Sequence, residues 1–315
     1  MKILSFDGGG VRGVISAVIL VELEKRLKDR KINLFDVIDM FAGTSTGSII
    51  AAGLAIRKSP QDILNIYKKR AREIFPYQSR WSPERIPLLF KSGFSAPKFD
   101  NIGLINALKE EFGNVKFENL DKKVLIISYD TIERNAVIFK SWKSNDDSSY
   151  YGDIPVWEIC TASASAPSFF PSYHIIKNQK EMNLIDGGTV ANNPSACALA
   201  SAIKLSGNTN HKLISIGTGD PIKQIKFNDS KDWGAIEWAI PIIDVMFDGS
   251  SDANRYITEQ VIGIQNYSRL QFNLKKENED LDNSSSDNIE DLIKLTEKYI
   301  NDNNLLINRA VNLLV

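Results

Sequence analysis

With 315 residues, 43% of them hydrophobic, the chain is long enough to bury a large core, and its length suits a single α/β domain over 1–315. Its 38 Lys and Arg nearly cancel 39 Asp and Glu, which excludes a global electrostatic draw toward nucleic acid or an anionic bilayer and makes any membrane contact a local matter. Two cysteines, Cys160 and Cys197, stand in no CxxC or metal-ligand spacing, which excludes a disulfide framework and fits buried thiols in a reducing compartment.

Apolar runs of strand length alternate with longer stretches of 3.6 periodicity, the pattern of βα units around a mostly parallel sheet. In chain order the predicted strands are 2–7, 37–42, 123–129, 136–140, 183–186, 212–217 and 268–272, and the predicted helices 11–28, 47–56, 60–74, 102–112, 194–205 and 235–246. Runs such as Val124-Leu125-Ile126-Ile127 are continuously apolar, so the sheet is expected to be covered on both faces. Because the first strand begins at residue 2, no room is expected for a secretory leader. The apolar stretch 238–247 is interrupted by Pro241 and Asp244 and falls short of the ~20 residues of a bilayer span. The expectation is therefore a cytoplasmic chain that touches membranes peripherally.

Two segments break the alternation. Residues 75–100 carry Pro76, Pro83, Pro87 and Pro97 among Phe75, Tyr77, Trp81, Leu88, Leu89, Phe94, Arg80, Arg85 and Lys91, which suits an irregular flap. Its aromatics and cations either cover the sheet or meet a lipid interface. Residues 275–288 are polar enough for a mobile loop. Asp287 and Glu290 then give a capping-box-like start to a C-terminal helical pair whose apolar face includes Ile289, Leu292, Ile293 and Ile300.

The chemistry concentrates in the glycines. Gly8, Gly10 and Gly13 follow a strand, open a helix and fit the dinucleotide fingerprint GxGxxG. A nucleotide-binding fold would place a ribose-binding acid after the next strand. That strand is followed instead by Gly43-Thr44-Ser45-Thr46-Gly47, a GxSxG pattern that forces a serine onto a tight strand-to-helix turn with Oγ exposed. Next to such a serine, the amides of Gly8, Gly9 and Gly10 become candidates for an oxyanion hole. Arg12 either adds positive charge there or braces neighbouring loops.

Ser45 needs a base. His211 precedes the strand 212–217, and so lies at the edge of a parallel sheet opposite the one Ser45 follows, about 15 to 20 Å away at ~3.3 Å per residue. His174 lies in a stretch whose position the pattern does not define and stays in reserve. Asp186-Gly187-Gly188 follows an apolar run and precedes another helix, so Asp186 is a carboxyl-edge residue able to take the serine proton if burial raises its pKa. In isolation the same tripeptide reads equally as a simple turn.

Asp7 to Gly13 (DGGGVRG), Gly43 to Gly47 (GTSTG) and Asp186 to Gly188 (DGG), in this order and at these separations, resemble the patatin-like phospholipase family. The block Ala162 to Pro171 (ASASAPSFFP) and the stretch Gly188 to Pro194 are similar to the segments flanking that family's aspartate, and Ile216-Gly217-Thr218-Gly219 is family-like but less specific. The resemblance implies a three-layer α/β/α fold with a mostly parallel central sheet. It also implies phospholipase A or esterase activity on acyl lipids through a Ser45–Asp186 dyad, with neither metal nor cofactor. Gly8, Gly9 and Gly10 would form the oxyanion loop with Arg12 nearby, supported by Gly43, Gly47, Gly187 and Gly188. A phospholipid is then the implied partner. Because the family includes storage glycoproteins, toxins and nucleotide-switched effectors, a nucleotide activator stays open.

Overall fold

The computed structural model describes residues 1–77, 79, 82, 83, 86, 88, 96–142, 151–177, 179–239 and 241–315. In chain order the strands are β1 (Lys2–Phe6), β2 (Met40–Thr44), β3 (Lys123–Asp130), β4 (Asn135–Lys140), β5 (Tyr173–Lys177), β6 (Lys180–Asp186), β7 (Lys212–Ile216) and β8 (Tyr267–Leu270). The principal helices are α1 (Gly13–Asp29), α2 (Thr46–Ala55), α3 (Pro60–Ile74), α4 (Ile102–Phe112), α5 (Val156–Ser163), α6 (Ser195–Ser206), α7 (Pro241–Ile262), α8 (Ser286–Asp302) and α9 (Asn304–Leu314). The sheet runs β5-β6-β3-β2-β1-β7-β8, with β4 also on β3. β2, β1, β7, β8 and β3 pair in parallel, and the β3·β4, β3·β6 and β5·β6 pairs are antiparallel.

Three layers follow from the apolar runs. Leu4, Phe6, Phe41, Val124 and Ile126 pack with α1 to α5, α8 and α9, while Ile3, Met40, Ala42, Leu125, Ile127 and Leu213 pack against α6 and the end of α7. Both faces of each central strand are thus buried, which is why the strands do not alternate in polarity. Among the described residues no helix is long and apolar enough to cross a membrane.

Several expectations need correction. The strand expected at 37–42 starts at Met40, because Asn33 Oδ1 accepts from Phe35 N at 2.8 Å and caps a helical turn, Leu34–Val37. The helix expected at 235–246 is instead a short turn, Ala235–Trp238, and a 22-residue helix, α7. Pro241 sits at the start of α7, where its missing N–H costs nothing. Gly249, Ser250 and Ser251 lie inside α7, where Asn192 N donates to Ser250 Oγ at 3.1 Å and Asn192 Nδ2 to Ser251 Oγ at 3.1 Å. Those contacts offset the ~1 kcal/mol that a mid-helix glycine costs.

Nor is 275–288 a free loop. Asn278, Asp282 and Ser284 are buried, Ser284 Oγ donates to Phe75 O at 2.6 Å, and Lys98 pairs with Asp282 at 2.5 Å. Helix α8 is capped by Ser285, whose Oγ accepts from Asn288 N, rather than by Asp287. Cys160 is buried and Cys197 is partly buried. The ends of the 75–100 segment are core: Phe75 and Phe99 stack edge-on with centroids 5.5 Å apart, and both contact Phe170. Trp81, Leu89, Phe94, Arg80, Arg85 and Lys91 lie outside the described residues.

β4 occupies one edge of β3 over residues 125–130, so β2 and β6 must share the other: β2 pairs with 123–127 and β6 with 128–130. The two strands run head-on along β3. Thr44 is partner to Ile127 and Asp186 to Ser128, which brings the ends of two segments about 140 positions apart in sequence to neighbouring sites on one strand.

Candidate active site

Ser45 follows Thr44 at that junction with φ 52° and ψ −125°, a region that non-glycine residues avoid at a cost of about 1–3 kcal/mol. The strain is held on both sides. Ser45 N donates to Ser163 Oγ at 2.9 Å, and Ser163 Oγ in turn donates to Ile127 O at 2.6 Å. Ser45 O accepts from Ser48 Oγ at 2.6 Å and from Ser48 N at 2.9 Å. A side chain at Gly43 would lie 2.2 Å from Gly47 O, and one at Gly47 2.2 Å from Phe6 O, so the flanking glycines let the turn close against β1. Helix α2 begins at Thr46, directing the positive end of its dipole toward Ser45.

Asp186 reaches the same place from the opposite direction. Its backbone N donates to Ser165 O at 3.0 Å and Gly187 N donates to Ser163 O at 3.2 Å, so the end of α5 clips both residues. A side chain at Gly187 would meet Ile127 O at 2.2 Å. Oδ1 accepts from Gly188 N at 2.7 Å, while Oδ2 is buried with no hydrogen bond of ordinary geometry among the described residues. Burial pushes the carboxyl up to about 7, although the facing Ser45 hydroxyl and the Gly188 amide pull it back. Asp186 sits at the carboxyl edge as expected, but on an antiparallel strand rather than a parallel one.

The glycine loop is pinned beside this pair. Gly8 N donates to Asn192 O at 3.0 Å, and Gly8 O accepts from Thr218 Oγ1 at 2.8 Å. A side chain at Gly8 would lie 2.3 Å from Asn192 Oδ1 and 3.1 Å from Ser45 Cβ. The Gly8 amide is therefore committed, contrary to the expectation that all three glycines present free donors. The Gly9 and Gly10 amides have no acceptor among the described residues. Gly10 has φ +57° and lies where a side chain would strike Leu281 O at 2.1 Å. Arg12 Nη1 donates to Glu279 O at 3.1 Å, bracing the loop against 276–282. Burial lowers its pKa, and Asp248 and Asp244 work in the opposite sense.

The histidines are elsewhere. His211 Nδ1 meets the Met1 amino group at 3.0 Å at the amino edge of the sheet, and His174 Nε2 pairs with Glu181 at 2.7 Å on the exposed β5–β6 hairpin. Neither lines the cavity onto which Ser45 and Asp186 open. That cavity is narrow, with a volume of about 60 Å³, and its walls are apolar, among them Ile49, Ile66, Ile74, Phe75, Leu104 and Phe170. Sequence reading did not assign Ser163, Asn192, Thr218 or these walls. The serines of the ASASA block and the GTG turn were the available signals.

A strained serine and a buried carboxylate thus meet at the carboxyl edge of an α/β/α sheet and open to an apolar cavity. The sequence pattern described as Patatin-like phospholipase matches residues 4–199. The chain is 32% identical over 348 aligned residues to Patatin-like protein 4 of Arabidopsis thaliana, covering 98% of this chain and 85% of that one. It is 31% identical to Patatin-like protein 1 of the same plant, covering 95% and 81%. Among solved structures, VipD from Legionella pneumophila superposes with a TM-score of 0.43 at 12% identity, covering 95% of this chain and 67% of that one. The chain belongs to the patatin-like phospholipase family.

Proposed function

We propose that the chain is a lipid acyl hydrolase in which Ser45 is the nucleophile and Asp186 its base, cleaving fatty-acyl esters of membrane phospholipids. The observation that carries this reading is the head-on meeting of β2 and β6 along β3, which sets Ser45 beside the unpaired Oδ2 of Asp186 at the head of an apolar cavity.

In the first half-reaction Ser45 Oγ bonds to the ester carbonyl carbon while its proton passes to Asp186 Oδ2. The carbonyl oxygen becomes an anion, met by the Gly9 and Gly10 amides and the N-terminus of α2. Collapse breaks the bond to the glycerol oxygen, which takes the proton from Asp186. Water then attacks the acyl-serine, giving its proton to Asp186, and departure of the fatty acid returns that proton to Ser45. A base whose pKa lies near neutrality suits both directions of transfer. Arg12 acts in this scheme as a brace rather than as an anion ligand. The whole chain works as one catalytic unit, a reading supported by Lys2 Nζ donating to Leu314 O at 2.7 Å, which ties the last helix to the first strand.

The test is product analysis with phosphatidylcholine vesicles, where free fatty acid and lysolipid are the expected products. The cavity walls add a sharper prediction. Ile74→Trp narrows the acyl cavity and is expected to reduce turnover of a dodecanoyl ester about tenfold or more relative to a butyryl ester, since chain-length discrimination comes from wall contacts. An unchanged chain-length profile would mean that the acyl chain lies elsewhere.

A further inference from the structure

The narrow Ser45 cavity has walls of two kinds. Val11, Ile49, Leu104 and Phe170 are buried members of the main core, so that side is backed by close-packed atoms. Phe169, Phe247 and Leu281 differ: they also line a second, larger cavity of about 470 Å³. Phe169 and Leu281 stand on backbone pinned to the core, where Phe99 N donates to Phe169 O and Val11 N to Leu281 O, both at 2.8 Å. Phe247 projects from α7 against the turn that holds Asp186. It is buried, and a side chain at Gly188, whose N donates to Asp186 Oδ1, would lie 2.8 Å from its Cε1 and Cζ. Ser250 Oγ, one turn along α7, donates to Gly188 O at 3.3 Å and accepts from Asn192 N at 3.1 Å, which fixes the helix and its ring over that turn. Beyond the ring the surroundings change. The second cavity is lined by carboxylates, among them Asp244 and Asp248 of α7, and by Ile225, Trp233 and Val245.

We propose that Phe247 is a specificity-determining partition: it confines the Ser45 cavity to one unbranched acyl chain, and truncating it joins the two cavities, giving a branch at the acyl C2 carbon a place. The proposal rests on the lipid-hydrolase reading for what occupies the Ser45 cavity. The reason is proximity. A straight chain leaves the carbonyl carbon in one direction, whereas a branch at C2 adds a second direction one bond from that carbon. There the Phe247 ring, packed on Gly188 beside Asp186, already fills the space. A close-packed wall does not take up extra methylene groups without strain. Behind the ring the apolar side chains of the second cavity offer room that the core side of the first cavity lacks.

The test compares p-nitrophenyl octanoate with p-nitrophenyl 2-ethylhexanoate, isomers that differ only in the branch. The full wild-type chain is expected to favour the linear ester about tenfold or more in kcat/KM, and Phe247→Ala to raise the branched-to-linear ratio about tenfold or more. Any fraction of a variant that fails to fold lowers both rates equally and drops out of the ratio. Phe247→Leu, which keeps most of the buried bulk, should raise the ratio about threefold. Leu104→Ala enlarges the Ser45 cavity from the core side, away from the shared wall, and should leave the ratio within about twofold of wild type. An unchanged ratio in both Phe247 variants, an equal rise in Leu104→Ala, or a wild-type chain that takes both esters alike overturns the proposal. Calorimetric binding of octanoate and 2-ethylhexanoate reads the same discrimination without turnover. If wild type binds octanoate over the branched acid, Phe247→Ala binds both and neither hydrolyses an ester, the partition is supported and the hydrolase reading contradicted, so the two fail separately.

Discussion

Asp186→Asn is expected to lower ester turnover by about three orders of magnitude or more, because the amide reproduces the shape of the carboxylate but cannot accept the serine proton. Asn Oδ1 can still accept from Gly188 N, and its Nδ2 replaces the unpaired Oδ2, so the fold should be retained. Stability should in fact rise. With its pKa pushed up to about 7, Asp186 keeps a proton in the folded chain that the unfolded chain loses near pH 4. The folded state is therefore progressively destabilised as pH climbs from about 4 to 7, by up to about 4 kcal/mol at 1.36 kcal/mol per pH unit, and levels off above. Asn removes that penalty. The melting temperature of the variant should exceed that of wild type at pH 8 and approach it at pH 5, while wild-type turnover falls as pH drops below about 7. His211→Ala and His174→Ala should leave turnover within about twofold, since neither histidine approaches Ser45. An inactive histidine variant beside an active Asp186→Asn would defeat the dyad.

Arg269→Met should destabilise the chain by about 3–5 kcal/mol, the cost of leaving a buried partner charge uncompensated. Arg269 reaches from β8 across β7 to Asp7, just past β1, where Nη1 donates to Asp7 Oδ1 at 2.9 Å and Nη2 to Asp7 Oδ2 at 2.5 Å. Nη1 also donates to Ser215 Oγ on the intervening strand at 2.7 Å. Asp7 is 2% exposed. Burial opposes the charge on Arg269, but the Asp7 carboxylate outweighs it and keeps the guanidinium firmly protonated. Removing only the arginine strands that carboxylate at the first residue of the glycine loop. Replacing both, as Asp7→Leu with Arg269→Met, should recover most of the loss in urea unfolding. A single variant as stable as wild type would show that Asp7 is already neutral without its partner.

Local signals carried far: GTSTG names an elbow because only glycines permit the close approaches at 43 and 47, and continuous apolar runs such as 124–127 demand cover on both faces. What depends on pairing between distant segments was less legible. That β2 and β6 share one edge of β3 is written in no short window, so Asp186 was placed at the right edge for the wrong reason. Gly8 illustrates the same limit: its amide looks free in sequence and is occupied by Asn192 O, 184 positions away. The polar run 275–288 reads as a mobile loop because the partners of its side chains are distant in sequence, Phe75 O for Ser284 and Lys98 for Asp282.

The most direct measurement of the central claim is labelling with a biotinylated fluorophosphonate, which phosphonylates an activated serine, followed by peptide mass spectrometry. The Ser45–Asp186 account predicts an adduct confined to Ser45, absent from Ser45→Ala, strongly slowed in Asp186→Asn and formed faster as pH rises through about 7. An adduct on another serine, or a folded Ser45→Ala chain that labels and hydrolyses ester like wild type, would contradict it.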